Sequence, residues 1–289
     1  MKFSVIGGDL RTINLAKMLA DDKNEVYVFG MEKSEDIEND RKIIKFNTLE
    51  RAIEKTSVII GSIPFSRDNE EMYASFSENI IKIDDLVKNN YKEKIFIAGN
   101  ISNDAKSKLE KSFGKVIDIM KQEELVVLNT IATAEGAIEV AIKNTDKIIH
   151  GSKVLILGFG RVAKEVAKKF DGISAKVTCA ARKNTDLAWI KALGYEGVNI
   201  NELGEDLKKY DIIINTVPQM IIDKEEMKYM KENILLIDLA STPGGINIED
   251  AQKMNLKFVW ALALPGKVAP VTSAEFIKDT IYNLIDLDL

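Results

Sequence analysis

The chain has 289 residues, 46% hydrophobic and 29% charged, and 40 basic against 45 acidic side chains leave a net charge of −5. This is the composition of a folded globular protein and excludes a disordered chain. The mild acidity argues against a nucleic-acid partner, which needs a basic face to displace counterions. One cysteine, Cys179, and one histidine, His150, exclude an internal disulfide framework and a Cys/His zinc site, and no metal is expected. No apolar run approaches the length of a bilayer span, the stretch 258–264 being halted by Pro265, so no membrane partner is expected. Met1-Lys2-Phe3-Ser4-Val5 already reads as a strand, which leaves no room for a signal peptide and points to the cytoplasm.

In chain order, short β-rich runs at 3–6, 26–29, 58–63, 95–98 and 116–119 alternate with amphipathic segments such as 11–19. A second series follows the same grammar at 154–157, 177–180, 212–215, 235–238 and 258–261. Buried-type strands alternating with helical crossovers imply parallel sheets with helices on both faces. The fold class expected is α/β, two doubly wound lobes joined by a spine helix, with a cleft between them as the default site. The spine is read from Thr133-Ala134-Glu135-Gly136 to about Asn144, apolar nearly all round. Residues 1–130 with a returning C-terminal helix, 271–289, form the expected substrate-binding lobe. Residues 131–270 form the expected nucleotide-binding domain.

The second lobe carries Val154-Leu155-Ile156-Leu157-Gly158-Phe159-Gly160-Arg161-Val162-Ala163, a strand running into G-x-G-x-x-A and a helix. The first glycine permits the turn, the second admits the pyrophosphate, and small Ala163 lets helix and strand pack closely. The next strand ends at Ala180-Ala181-Arg182-Lys183, with no carboxylate at its tip. Arg182 and Lys183 suit a 2′-phosphate, so NADP is preferred, while Asp186 nearby keeps NAD open. Asn215-Thr216-Val217-Pro218 and Asp238-Leu239-Ala240-Ser241, at the ends of later strands, are placed along the nicotinamide crevice. Thr216, Val217, Pro218 and Ser241 are its expected cofactor contacts.

In the first lobe Val5-Ile6-Gly7-Gly8-Asp9-Leu10-Arg11 has the glycine turn but lacks the small third residue, and no acid ends the next strand, which closes Phe29-Gly30-Met31. It is read instead as a carboxylate site, with Gly8, Asp9 and Arg11 at a helix start. Arg67, in Ser66-Arg67-Asp68, and Ser102 add a second cation and a polar rim, which together suggest a small anionic substrate. Lys267, between Pro265 and Pro270, could reach a carboxylate or the reacting carbon. Thr133 and Glu135 open the spine helix, where Glu135 is either a first-turn acid complementing the dipole or a general base. Cys179 and His150 are read as core and surface residues.

Taken together, Ile6-Gly7-Gly8-Asp9-x-Arg11, Thr133-Ala134-Glu135-Gly136-Ala137, Ile149-His150-Gly151-Ser152, Gly158-Phe159-Gly160-Arg161, Asn215-Thr216-Val217-Pro218, Asp238-Leu239-Ala240-Ser241-x-Pro243-Gly244-Gly245 and Leu264-Pro265-Gly266-Lys267-x-Ala269-Pro270-x-Thr272 span nearly the whole chain. The set resembles the dipicolinate synthase A-chain family. That resemblance implies a cytoplasmic enzyme of the mother cell in a spore-former, oxidising dihydrodipicolinate or its hydrated precursor to dipicolinate with NAD(P)+. It also implies the flavoprotein-like B subunit of dipicolinate synthase as partner, and an oligomer is expected. Ser66-Arg67-Asp68-Asn69, Ala261-Leu262-Ala263 and Thr272-Ser273-Ala274 depart from the family's pattern and bear on the shape of the substrate pocket. Two alternatives stand beside this reading. One is another NADP-dependent dehydrogenase of a small anionic or pterin substrate, similar to methylenetetrahydrofolate or alanine dehydrogenases. The other is a non-catalytic NADP-binding partner of a flavoprotein.

Overall fold

A computed structural model describes residues 1–286 of the chain; the last three positions of the expected C-terminal helix, 287–289, lie outside the described residues. Two compact units result, one formed by Met1–Leu128 with the chain from Ala269 onward, the other by Asn129–Val268.

The first unit begins β1 (Lys2–Ile6), α1 (Leu10–Asp21), β2 (Glu25–Phe29), α2 (Glu35–Asn39), β3 (Ile43–Lys45) and α3 (Leu49–Glu54). It continues through β4 (Val58–Ile60), α4 (Ile83–Leu86), β5 (Tyr91–Ala98), α5 (Asn103–Ser112) and β6 (Phe113–Asp118). The unit boundary falls within α6 (Glu123–Asn144). The second unit holds β7 (Lys153–Leu157), α7 (Arg161–Gly172), β8 (Lys176–Ala181), α8 (Asn184–Ala192), β9 (Glu196–Asn199) and β10 (Ile212–Asn215). After these come α9 (Lys224–Met227), β11 (Leu235–Asp238), α10 (Ile248–Lys253), β12 (Lys257–Trp260) and α11 (Leu264–Val268). The last helix, α12 (Pro270–Asp286), belongs to the first unit.

Both sheets are six-stranded and wholly parallel, in the orders β3-β2-β1-β4-β5-β6 and β9-β8-β7-β10-β11-β12. Each is the same doubly wound order, in which the first strand of the series lies beside the switch point. Strand periodicity explains the two-sided burial. Val154 and Ile156 of β7 face one core with Ile212 and Ile214 of β10, while Leu155 and Ile213 face the other. On α7, Ala163, Val166, Ala167 and Phe170 recur at helical spacing and pack into the first of these cores. In the first unit Ala274, Ile277, Ile281 and Ile285 make the same kind of face on α12, packed with Ile13 and Leu15 of α1.

Three sequence expectations change. The edge strands β3 and β9 were not foreseen, because short edge strands with mostly solvent-facing side chains carry little apolar signal. The spine helix starts ten residues earlier than Thr133, at Glu123, whose first turn is acidic as the helix dipole favours. That longer α6 is, by length and composition, apolar enough to cross a membrane. Its apolarity has a local use: Leu125 lies in the core of the first unit, and Ala134, Ala137 and Ala141 lie in that of the second.

Cys179, in the middle of β8, is fully buried, and loss of hydration pushes its thiol up to about 12. Since it is the only cysteine, an aromatic disulfide reagent is expected to titrate almost no thiol in native protein and one per chain in denaturant.

Candidate nucleotide-binding site

β7 ends at Leu157 and α7 starts at Arg161, so Gly158-Phe159-Gly160 must reverse the chain between them. Gly158 sits at φ +98°, and a Cβ there would stand 2.7 Å from Thr216 Oγ1 and 2.8 Å from Val217 Cγ2. Only glycine fits. Gly160 is the opposite case, with no atom within 4 Å of where its Cβ would be. It is the N-cap of α7, and no side chain hydrogen-bonds there to the first turn. Ala163 is fully buried, so the helix packs closely on the sheet. An open cradle over a helix start without a side-chain cap fits the pyrophosphate of a dinucleotide.

Beside this turn lies a cleft of about 520 Å³, lined by Gly158, Phe159, Arg182, Lys183, Asp186 and Val217, among others. Arg182 and Lys183 are exposed at the tip of β8, Lys183 being the N-cap residue of α8. Phe159 also packs into the core, with Lys164 Nζ 5.4 Å from its ring centroid. Arg161 and Val162 form the first turn of α7. Thr216 donates its hydroxyl to Leu157 O at 2.8 Å and so ties the end of β10 to the turn. Pro218 and Ser241 are exposed on the loops that follow β10 and β11.

Asn215 and Asp238, expected to line the crevice, are instead buried beneath it, at 0% and 1% exposure. Asn215 Nδ2 donates to Asp238 Oδ1 at 2.8 Å and to Val217 O at 2.9 Å, and Val217 N donates back to Asn215 Oδ1. Asp238 also accepts from the backbone N–H of Ala240, Gly245 and Ile246 at 2.9, 2.7 and 3.1 Å. One carboxylate therefore fixes the loops after two adjacent strands. Gly244 and Gly245 allow this, since Cβ atoms there would stand 2.9 Å from Asp238 Oδ2 and 2.5 Å from Asn215 Nδ2.

The corresponding turn of the first unit is filled from within. Asp9 caps α1 by accepting from Arg11 N, and its carboxylate takes Arg11 Nε at 3.0 Å and Nη2 at 2.7 Å. Arg11 also donates to Ile63 O and is 7% exposed. The carboxylate site expected at Gly8, Asp9 and Arg11 thus already holds a carboxylate, that of Asp9. The segment after Arg67 lies over the rest of the turn. Gly8 N donates to Tyr73 O at 2.8 Å, and the backbone N–H and hydroxyl of Ser75 both donate to Gly8 O at 2.9 Å. Farther along, Glu32 accepts from Gly30 N and Glu78 N, both at 3.1 Å. The sequence hint was Glu32, two residues past Gly30, but its tether to Glu78 is long-range.

The remaining candidates lie on α6, on α11, at the start of α5 and on the segment after β4. Glu135 lies in the middle of α6 rather than at its start, 54% exposed along its side chain, and accepts from Lys169 Nζ at 2.8 Å. This pairing raises the pKa of the Lys169 ammonium. Thr133 donates to Asn129 O, one turn back. Lys267 is exposed on α11, and Leu264 of that helix packs on Gly136, where a Cβ would come within 3.0–3.1 Å of it. Ser102 caps α5 by accepting from Ala105 N. Arg67 is exposed with its guanidinium carbon 4.2 Å from the centroid of the Tyr73 ring.

Comparison with known proteins adds to this geometry. A family model described as the N-terminal domain of the dipicolinate synthase A subunit matches residues 2–120. Another, described as the NAD-binding domain of D-isomer specific 2-hydroxyacid dehydrogenases, matches residues 108–247. The dipicolinate synthase A subunit of Bacillus subtilis (strain 168) is 33% identical over 299 residues, covering 99% of this chain and 96% of that protein. This chain belongs to the dipicolinate synthase A-chain family. The crystal structure of the family's member from Bacillus halodurans matches with a TM-score of 0.89 at 28% identity, covering 98% of this chain and 97% of that one. The crystal structure of the Bacillus subtilis protein matches with 0.87 at 29% identity, covering 99% and 96%. An L-alanine dehydrogenase, TM-score 0.68 at 13% identity over 99% of this chain and 89% of that one, shares the fold alone. The second unit is therefore a nicotinamide-dinucleotide domain of the dehydrogenase kind, as befits an NAD-dependent oxidoreductase. Because the relative is named as one subunit of a synthase, the family implies a partner subunit.

Asp238→Ala would leave three buried N–H groups and the Asn215 amide without their acceptor. It is expected to cost about 3 kcal/mol or more in urea unfolding and to weaken dinucleotide binding. Asn215→Ala, which leaves the carboxylate its backbone donors but unties Val217, is expected to cost less, about 2 kcal/mol.

Proposed function

We propose that this chain is the A subunit of a dipicolinate synthase, and that it oxidises dihydrodipicolinate, or its hydrated tetrahydrodipicolinate precursor, to dipicolinate with NADP+. The observation that carries the reading is the open cradle at Gly158-Phe159-Gly160 with two cations at the tip of β8, in a chain matched over 99% of its length by a dipicolinate synthase. The preference for NADP rests on Arg182 and Lys183 standing where an NAD-specific domain places a ribose-gripping acid. Asp186, which shares the cleft, is the feature that favours NAD.

When bound, the nicotinamide ring supplies the hydride acceptor. The chain's own residues bind, orient and take the proton. Gly160 and the first turn of α7 receive the pyrophosphate, and Arg182 and Lys183 neutralise the 2′-phosphate. Thr216, Val217, Pro218 and Ser241, on loops fixed by Asp238, border the nicotinamide end. The substrate is a ring carrying two carboxylates. With Arg11 engaged by Asp9, those carboxylates fall to Arg67, Ser102 or Lys267. Loss of a hydride from one ring carbon of dihydrodipicolinate and a proton from its neighbour gives the aromatic product, the hydrated precursor losing a molecule of water besides, so orientation and exclusion of water contribute more than strong acid–base catalysis. Glu135, steadied by Lys169 and borne on the part of α6 that packs against α11, is read as the group that takes the proton, directly or through water, with Thr133 one of the catalytic candidates on the same helix. The reading carries with it the mother-cell cytoplasm of a spore-former, an oligomeric assembly and the synthase's flavoprotein-like B subunit.

Calorimetric titration with each dinucleotide tests the cofactor. The double variant Arg182→Ala/Lys183→Ala is expected to lose about tenfold or more in NADP+ affinity while NAD+ binding changes little; an equal loss for both would count against the 2′-phosphate assignment. Absorbance of dipicolinate, formed from dihydrodipicolinate by this chain with and without the flavoprotein-like partner, tests the reaction. In that assay Glu135→Gln is expected to lower kcat by about 100-fold or more, and wild-type kcat would remove it from the site.

A further inference from the structure

Arg67 differs from every other arginine considered for the substrate. Among the described residues it makes no hydrogen bond and no ion pair, and its one specific contact is with Tyr73, its guanidinium carbon lying over the ring 4.2 Å from the centroid. A guanidinium held over an aromatic ring by cation–π attraction and otherwise unpaired leaves the N–H donors along its edge to a ligand. Such an edge matches a carboxylate with two parallel hydrogen bonds.

The backbone that carries this pair is held at several points. Ser66 and Met72 form an antiparallel bridge, Tyr73 N donates to Phe65 O at 2.9 Å, and Met72 N donates to Ile81 O at 2.8 Å. Phe65 is fully buried against Phe96, which anchors the hairpin to the sheet. Tyr73 O, in turn, accepts from Gly8 N. The acid next to Arg67 is otherwise occupied: Asp68 accepts from the N–H of Glu70 and Glu71, both at 2.9 Å, and these bonds hold its pKa below the usual carboxylate range. The pair borders a cleft of about 390 Å³, room for a small planar acid, that is also lined by Lys33 and Ser75 and by the acids Asp68, Glu71 and Glu78.

We propose that Tyr73 is the positioning residue for Arg67, its ring holding the guanidinium so that its unpaired N–H donors clamp one carboxylate of the anionic substrate. This rests on the proposed function for the identity of the acid. The role belongs to the aromatic face and not to the phenol hydroxyl. It predicts preference for a dicarboxylate over the same ring with one carboxylate.

The test uses the full chain, with the flavoprotein-like partner present for turnover, and two probes, dipicolinate and picolinate, titrated against the protein–NADP+ complex. Arg67→Gln is expected to weaken dipicolinate binding and raise KM for dihydrodipicolinate by roughly 100-fold. Arg67→Lys, which keeps charge but not the fork, is expected to fall between. Tyr73→Leu is expected to cost about 3- to 10-fold in the same two quantities, while Tyr73→Phe and Tyr73→Trp stay near wild type. In the Tyr73 variants kcat is expected to change by less than about twofold; in all of them NADP+ affinity is expected to hold, and the dipicolinate-to-picolinate preference is expected to collapse in step with KM. Wild-type dipicolinate affinity in folded Tyr73→Leu overturns the proposal, as does a loss in Tyr73→Phe equal to that in Tyr73→Leu. If Tyr73→Leu does not fold, the arginine variants and Tyr73→Phe decide, and unchanged KM in Arg67→Gln is the overturning result. A wild-type protein that binds NADP+ but neither binds dipicolinate nor forms it overturns the substrate assignment in the proposed function, and this proposal with it.

Discussion

A helix start leaves its first backbone N–H groups without partners inside the helix, and something must satisfy them. The two units of this chain have the same strand order and the same glycine turn after the first strand, yet they meet that requirement in opposite ways. In the first unit Asp9 caps α1 and is locked by Arg11, and the segment from Tyr73 to Glu78 lies over the turn. In the second, Gly160 contributes no side chain, and the space above it is clear. Identical topology therefore yields one self-sealed cradle and one that fits an anionic ligand. The division of labour between the units begins with that difference of one side chain at the N-cap.

An open cradle must also be rigid, because a ligand cannot organise loops without loss of affinity. Buried carboxylates supply the rigidity in both units. Asp238 gathers the loops after β10 and β11 through three backbone donors and Asn215, and Asp118 accepts from Asn100, Ile101 and Met120 in the first unit. A buried charge is tolerable only where hydrogen bonds replace its lost hydration. Here the replacement is backbone N–H, whose position depends on glycines: side chains at Gly244 or Gly245 would collide with the carboxylate or its partner. The loop sequences are thus set as much by this tie as by any contact with a ligand.

Local spacing made much of this readable in the sequence. The alternation in Val154-Leu155-Ile156-Leu157 and the G-x-G-x-x-A that follows fix a strand, a turn and a helix with no information from elsewhere in the chain. That Arg182 and Lys183 stand at the tip of a strand was legible for the same reason, the β-rich run being followed directly by both cations. What stayed hidden was relational. Nothing in Asp9-Leu10-Arg11 says whether the arginine reaches outward or folds back onto its neighbour. Asn215 and Asp238 look alike as polar strand ends whether they face a ligand or each other. The stack of Arg67 on Tyr73 joins residues six apart across a hairpin whose strands are too short to show a period. Edge strands such as β3 and β9 escaped because exposure removes the hydrophobic pattern that marks a strand.

The asymmetry between the two glycine turns fixes the number of dinucleotides that one chain can hold. Titrating NADP+ into the purified full-length chain by calorimetry measures how many dinucleotides each chain accepts. One per chain, abolished when a side chain is placed at Gly158 and untouched by Asp9→Asn, is the result expected. Two per chain, or none, would contradict the claim that one cradle is sealed by its own residues while its twin receives the cofactor.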